Sequence, residues 1–179
     1  EFVSLPEGSM STRAGKFVSA DDLITEIRKR AFDEVTVRRP ELDEKTRWSI
    51  ARSVGLAAIR YDIVKVSPEK STVFDWKEAL DFERQSGPYI QYAHARACSI
   101  LEKAGPFPEC FELETDHEIA LAKKIARFPR VIESVVADLH PHILAIYARE
   151  LADTFNTFYH FEPVLKSEGK IRDRRLTLV

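Results

Sequence analysis

The chain has 179 residues, of which 31% are charged and 44% hydrophobic, and its net charge is −2. This length suits one substantial domain with or without an appended segment, and the near-neutral charge argues against a basic coat for nonspecific nucleic-acid binding. The two cysteines lack metal-site spacing, and no apolar run is long enough for a membrane span or arranged as an export signal. We expect a protein of the reducing cytosol.

The N-terminal segment begins with EFVSL, a short apolar run that ends at Pro6 and Gly8. This pattern is typical of the end of a β-strand, whose partners we expect to lie outside the chain. The next stretch, GSMSTRAGK, is either a cloning remnant before a start methionine or a genuine loop. SADDLITEIRKRA then predicts a helix with Ser19 as its N-cap, Asp22 completing the cap, and basic residues in its last turn.

The remaining chain is dominated by helical periodicity. Apolar residues at three- and four-residue steps predict helices over 44–61, 75–83, 89–104, 115–126, 129–139 and 142–160. Between the first two we expect a loop with brief extended character around Ile63, Val64 and Val66. Lys166 to Arg175 is predicted to form a polar, basic turn. The predicted fold class is all-α, a helical bundle with a short N-terminal strand and loop.

The helix over 89–104 contains the run GPYIQYAHAR. At 100° per residue, Tyr89, Tyr92 and Arg96 share one side of this helix. Aromatic rings stack on unpaired bases, and arginine binds phosphate or stacks on a base, so this side suits RNA. The alternative is a structural one, in which the tyrosines are half-buried and Arg96 pairs with a carboxylate such as Glu83.

The last long helix offers a similar choice. Tyr159 lies at the edge of its apolar stripe, beside Asn156 and His160, where it either binds a ligand or covers the core with its hydroxyl in water. The stripe itself is predicted to be core and consists of Leu144, Tyr147, Leu151, Phe155 and Phe158.

The histidines and acidic pairs do not form a convincing catalytic or metal site. His140 and His142 flank a proline without a third ligand at helical spacing, so a helix start is favoured over a metal site. His94 has no serine or cysteine partner that the sequence identifies. Asp21 and Asp22 fit the favourable charge at a helix N-terminus.

Three stretches resemble the class I arginyl-tRNA synthetases. SMSTRAGKFVSADDL is similar to their KMSKS signature loop, FDWKEALDFERQSGPYIQYAHAR to the helix pair that opens their anticodon-binding domain, and ELADTFNTFYHFEPVLKSEGKIRDRRLTLV to its closing helices. The resemblance implies a C-terminal fragment. Residues 1–30 would be a remnant of the catalytic domain, and residues 31–179 an α-helical anticodon-binding domain truncated at its C-terminal end.

The resemblance also implies site residues. The degenerate signature would be Ser9, Met10, Ser11, Thr12 and Arg13. In the intact enzyme, which uses ATP with Mg²⁺, the ATP-binding residues would be Ser11, Thr12, Arg13 and Lys16. Tyr92 and Tyr159 match tyrosines that contact the anticodon loop. Tyr89, Arg96, Asn156 and His160 are neighbours carried over as tRNA-binding residues.

The implied function is the tRNA-binding portion of an arginine–tRNA ligase, which attaches arginine to its tRNA using ATP. The fragment would be inactive alone, because the catalytic fold and its HIGH signature are absent from these residues. Its expected partners are an arginine tRNA and, in the intact enzyme, arginine and ATP, with no DNA and no membrane, as a cytoplasmic monomer. The alternative is a stand-alone helical module that binds RNA or protein.

Overall fold

The computed structural model describes residues 3–4, 18–83 and 85–179. The predicted signature loop and Lys16 lie outside the described residues. The described chain is mainly helical, which confirms the all-α class. It forms two compact units that meet in sequence between Tyr89 and Ile90. Its elements are β1 (Val3–Ser4), α1 (Ala20–Arg38), α2 (Glu44–Val64), β2 (Thr72–Val73), α3 (Trp76–Ala79), α4 (Gly87–Ala104), α5 (Asp116–Ala126), α6 (Phe128–Asp138), α7 (His142–Phe161) and α8 (Gly169–Thr177).

The first unit is built on a hairpin of α1 and α2. The Ser19 Oγ accepts a hydrogen bond from the Asp22 N–H at 3.0 Å, and the Asp22 carboxylate accepts one from the Ser19 N–H at 3.2 Å, so the predicted capping box is confirmed. α1 is about two turns longer than predicted, because Val35 continues its buried face. The predicted boundary between the catalytic remnant (1–30) and the anticodon-binding domain (31–179) falls inside α1, which is continuous there. This boundary stays a prediction.

The core of the first unit fills the space between these helices and α3. Both tryptophans of the chain are in this unit. Trp48 of α2 stacks on Phe32 of α1 with ring centroids 4.1 Å apart. Trp76 meets the fully buried Phe74 edge-on at 5.1 Å. The other buried hydrophobic residues of this core are Ile27, Ala31, Val35, Ala51, Val54, Ala58, Ile59, Ala79 and Leu80.

The N-terminal strand has a partner within the chain. β1 pairs in parallel with β2, Val3 opposite Thr72 and Ser4 opposite Val73, and the Phe74 N–H donates to the Ser4 carbonyl at 2.8 Å. The expectation that its partners lie outside the chain is therefore wrong.

The loop predicted around Ile63, Val64 and Val66 begins later than expected, because residues 63 and 64 belong to α2. Short runs of β-branched residues fit either a helix or a strand.

The second unit contains most of α4 together with α5 to α8. α7 starts at His142, as predicted, and packs against α5 and α6. Tyr147, Phe155 and Phe158 are buried as predicted. Leu144 and Leu151, also predicted to be core, line an apolar groove of about 680 Å³ among α4, α5, α6 and α7, which the C-terminal Leu178 and Val179 also border. None of the helices in the described ranges has the length and apolarity needed to cross a bilayer.

The C-terminal segment is a helix, so the prediction of a basic turn is wrong. Arg174 and Arg175 of α8 are only 3% and 9% exposed. Both donate from Nε to the Glu118 Oε1, each at 3.1 Å, and Glu118 is fully buried. Arg174 also pairs with Glu114 at 2.6 Å, and Arg175 with Glu162. The ion pairs of these arginines therefore hold α8 against the start of α5, and neither arginine contributes to a solvent-exposed basic surface.

Glu118 also completes the N-terminal cap of α5. Its Oε2 accepts hydrogen bonds from the Glu114 and Thr115 N–H groups at 2.9 and 3.3 Å, and Thr115 caps the helix in return. Burial raises the pKa of the Glu118 carboxyl. The hydrogen bonds from the Glu114 N–H, Arg175, the Thr115 N–H and Arg174 lower it by more, so its pKa lies below the usual 4.5. The carboxylate is therefore charged at neutral pH.

Candidate nucleic-acid interface

Four of the predicted site residues meet where α4 and α7 face each other. The Arg96 Nη1 donates to the Asn156 Oδ1 at 2.8 Å, and its Nη2 donates to the Tyr92 hydroxyl at 3.0 Å. The guanidinium carbon lies 4.6 Å from the Tyr92 ring centroid and 4.9 Å from that of Tyr159. The guanidinium of Arg96 thus lies over both tyrosine rings. We refer to these four residues as the tyrosine–arginine cluster.

The helices position this cluster through their buried faces. On α4, Ala93 and Ile100 are buried, so Tyr92 and Arg96, one turn apart, lie at the edge of that face. On α7, Phe155 and Phe158 are buried, so Asn156 and Tyr159 likewise lie at the edge of the buried face. The Tyr159 ring also lies near-parallel to that of Phe155, with centroids 6.4 Å apart. The cluster is therefore fixed to the core on one side.

The other side of the cluster is open to solvent. Tyr92 is 51% exposed and Tyr159 is 40% exposed. The hydrogen-bond partners of the Arg96 guanidinium are a neutral amide and a phenol, not the carboxylate of Glu83 that the structural alternative suggested. No ion pair found among the described residues includes Arg96. The cluster combines accessible aromatic rings with a positive charge that a ligand can approach.

A comparison within the chain shows why this matters. In the first unit, Arg30 lies over the Trp76 ring at 4.8 Å, a similar cation–π contact. There the Arg30 Nε is 2.7 Å from the Glu26 carboxylate, so its charge already has a partner. Arg96 differs because its hydrogen-bond partners, among the residues that the structure describes, are an amide and a phenol, which carry no negative charge.

The other two predicted tRNA-binding residues, Tyr89 and His160, have contacts of their own. Tyr89 belongs to the first unit, is half-buried, and donates its N–H to the Ser86 Oγ at 3.1 Å. His160 is exposed and packs edge-on against Phe161, with ring centroids 4.7 Å apart. The structure thus brings four of the six residues together.

Two contacts in the structure were not predicted from the sequence. Phe161 is 58% exposed and stacks on His117, with ring centroids 4.7 Å apart. Its position in the sequence, two residues after Tyr159, was the feature that could have indicated an exposed aromatic residue here. The Cys98 Sγ lies 3.8 and 3.9 Å from the ring nitrogens of His94, a pairing that the four-residue spacing on α4 would have indicated. Within the described ranges, no group of three or more His, Cys, Asp or Glu is close enough to hold a metal ion.

The part of the chain that carries the cluster matches a known family. Residues 90–179 match the sequence model described as the DALR anticodon binding domain. The chain belongs to this family. α4 from Ile90 onward and all of α5 to α8 fall within the matched residues, and so does the whole cluster of this DALR anticodon-binding domain.

Individual proteins extend the match over the entire chain. It is 81% identical over 179 residues to an arginine–tRNA ligase of Methanoregula boonei and 73% identical over 180 residues to one of Methanosphaerula palustris, covering 100% of this chain and 32% of each relative. The arginyl-tRNA synthetase structure of Thermus thermophilus aligns with a TM-score of 0.90 and 36% identity over 99% of this chain and 30% of that one. The Plasmodium falciparum arginyl-tRNA synthetase has the same fold at a TM-score of 0.79 and 24% identity.

These matches confirm the resemblance to arginyl-tRNA synthetases. They also set its extent, because the chain spans about a third of the length of the curated relatives that it matches.

Proposed function

We propose that this chain is the tRNA-binding portion of an arginine–tRNA ligase and that its tyrosine–arginine cluster contacts the anticodon loop of an arginine tRNA. The observation that carries the proposal is the Arg96 guanidinium held over two solvent-exposed tyrosine rings, within residues that match an anticodon-binding family.

The chemistry of the cluster suits an unpaired loop. Bases that are not stacked in a helix offer their faces to aromatic side chains. The rings of Tyr92 and Tyr159 provide such faces, and their attachment to the core reduces the conformational entropy lost on binding. Arg96 adds N–H donors for a phosphate or a base edge. His160 and Tyr89 remain proposed secondary contacts.

The proposal includes the activity of the intact ligase, which joins arginine to its tRNA at the expense of ATP with Mg²⁺. The residues assigned to ATP, namely Ser11, Thr12, Arg13 and Lys16, lie outside the described residues, so we derive no catalytic step from them. The described part of the chain is assigned tRNA binding alone, as a cytoplasmic monomer that does not charge tRNA by itself.

A titration of this chain with the anticodon stem-loop of an arginine tRNA, beside a noncognate stem-loop, tests the proposal. Because base–aromatic stacking contributes roughly 1–3 kcal/mol per base, we expect Tyr92→Ala and Tyr159→Ala each to weaken cognate binding about 5- to 150-fold. Phe111→Ala is the matched control, because this aromatic residue of the second unit is 77% exposed and is not a member of the tyrosine–arginine cluster. Its affinity should equal that of the unmodified chain.

Thermal unfolding of the same variants separates binding from folding. Both tyrosine variants should keep most of the stability of the unmodified chain. Equal RNA affinity for all variants would contradict the proposal, and absence of any tRNA binding would favour a stand-alone module that binds another partner.

A further inference from the structure

The Arg96 side chain is held more tightly than an exposed arginine usually is. It is half-buried, makes two side-chain hydrogen bonds, and lies over two aromatic rings. Fixing an arginine side chain costs rotamer entropy, so this arrangement needs specific partners. Tyr92 is on the same helix as Arg96 and moves with it. Asn156, 60 residues away on α7, is the partner that ties the guanidinium to the second helix.

The role of the Asn156 amide follows from donor and acceptor chemistry. A guanidinium has only N–H donors, so the amide must present its oxygen to Arg96. Asn156 is also less exposed than the rings of Tyr92 and Tyr159. A base that reaches the cluster therefore meets the rings before the amide, whose oxygen is already engaged.

We infer that Asn156 is a positioning residue: it holds the Arg96 guanidinium over the rings of Tyr92 and Tyr159, so that the stack is assembled before RNA arrives. This inference rests on the proposed function for its consequence, a higher RNA affinity through preorganisation. Without the amide oxygen, the guanidinium loses its only hydrogen bond to α7 among the described residues. Tyr159 then loses its charged stacking partner.

A double-mutant cycle distinguishes positioning from direct contact. The RNA affinities of Asn156→Ala, Arg96→Ala and the double variant are measured with the cognate stem-loop. We expect Asn156→Ala to weaken binding about fivefold or more in the unmodified chain and to have no further effect in the Arg96→Ala background, since coupled residues are not additive. Thr157→Ala is the control. This exposed neighbour donates to the Asp153 carbonyl of its own helix, and the variant should bind RNA normally.

A second measurement needs no RNA. In the free protein, ring currents should move the Arg96 Nε–H proton resonance upfield, because the guanidinium lies over two rings. Asn156→Asp keeps an oxygen acceptor and should preserve this shift. Asn156→Ala should reduce it to the part that comes from Tyr92, because the contact with the Tyr159 ring is lost, while the amide resonances of the α7 core stay in place.

The outcomes separate the inference from the proposed function. An unchanged Arg96 resonance in Asn156→Ala overturns the positioning role, and so does a full effect of Asn156→Ala in the Arg96→Ala background, which would mean that the amide touches RNA. If the unmodified chain binds no RNA, the proposed function fails, and the resonance of the free protein still decides whether Asn156 positions Arg96.

Discussion

Replacing Glu118 with glutamine tests how the second unit is held together. The carboxylate uses one oxygen for two arginine side chains and the other for two backbone N–H groups. Glutamine has nearly the same shape but only one acceptor oxygen, and its NH₂ group is a donor. In either orientation of the glutamine amide, the NH₂ group faces two donors, so two of the four hydrogen bonds are lost.

The magnitude follows from those two bonds. Each hydrogen bond to a charged group contributes about 1.5–3 kcal/mol, and breaking a buried ion pair costs about 3–5 kcal/mol. Arg174 keeps Glu114 and Arg175 keeps Glu162 in the variant, so neither cation is left unpaired. We therefore expect Glu118→Gln to lower the free energy of unfolding by about 3 kcal/mol, at the lower end of that range.

Glu114→Gln is the matched control for this substitution. It removes the other carboxylate paired with Arg174, but the Glu114 side chain is 65% exposed, so solvent screens its charge and we expect a smaller loss of stability than for the buried Glu118. Urea unfolding followed by far-ultraviolet circular dichroism measures both variants. A loss for Glu118→Gln no larger than that for Glu114→Gln would refute the reasoning.

Three further predictions concern stability. The pKa of Glu118 is lowered in the folded state. Its contribution to the free energy of unfolding is therefore complete above its unfolded-state pKa and is lost as the pH falls through the folded-state pKa. Urea titrations at decreasing pH should show stability falling. Gly87→Ala would place a Cβ 2.3 Å from the Ala57 carbonyl oxygen, so tryptophan-detected urea unfolding should show a loss of about 1–3 kcal/mol, and an unchanged midpoint would contradict it. Calorimetry should show that Phe158→Ala, at a fully buried position, costs about 3–5 kcal/mol, and that Phe161→Ala costs far less.

The features that sequence reasoning predicted correctly depend on residues close together in the chain. Ser19 and Asp22 cap α1 across three residues, and the apolar spacing on α7 identified Phe155 and Phe158 as core. Such signals are local, so a short stretch of sequence contains all the interacting groups. The helical arrangement also placed Tyr92 and Arg96 together on α4.

The features that it missed depend on distant partners. Arg174 looks like part of a solvated basic run until Glu118, 56 residues earlier, is brought beside it. Likewise, the sequence suggested only a nearby carboxylate, Glu83, as a structural partner for Arg96, whereas the structure gives it Asn156, 60 residues away on another helix. A helical wheel shows which way a side chain points but not what it meets there.

The placement of the tryptophans makes the two compact units spectroscopically distinct. Trp48 and Trp76 are the only tryptophans in the chain, and both lie in the first unit. Tryptophan emission therefore reports on the α1–α2 hairpin, while the second unit, which holds the cluster and the buried Glu118, contains no tryptophan. Comparing emission with circular dichroism on one urea series would show directly whether the two units unfold as one cooperative block or in separate steps.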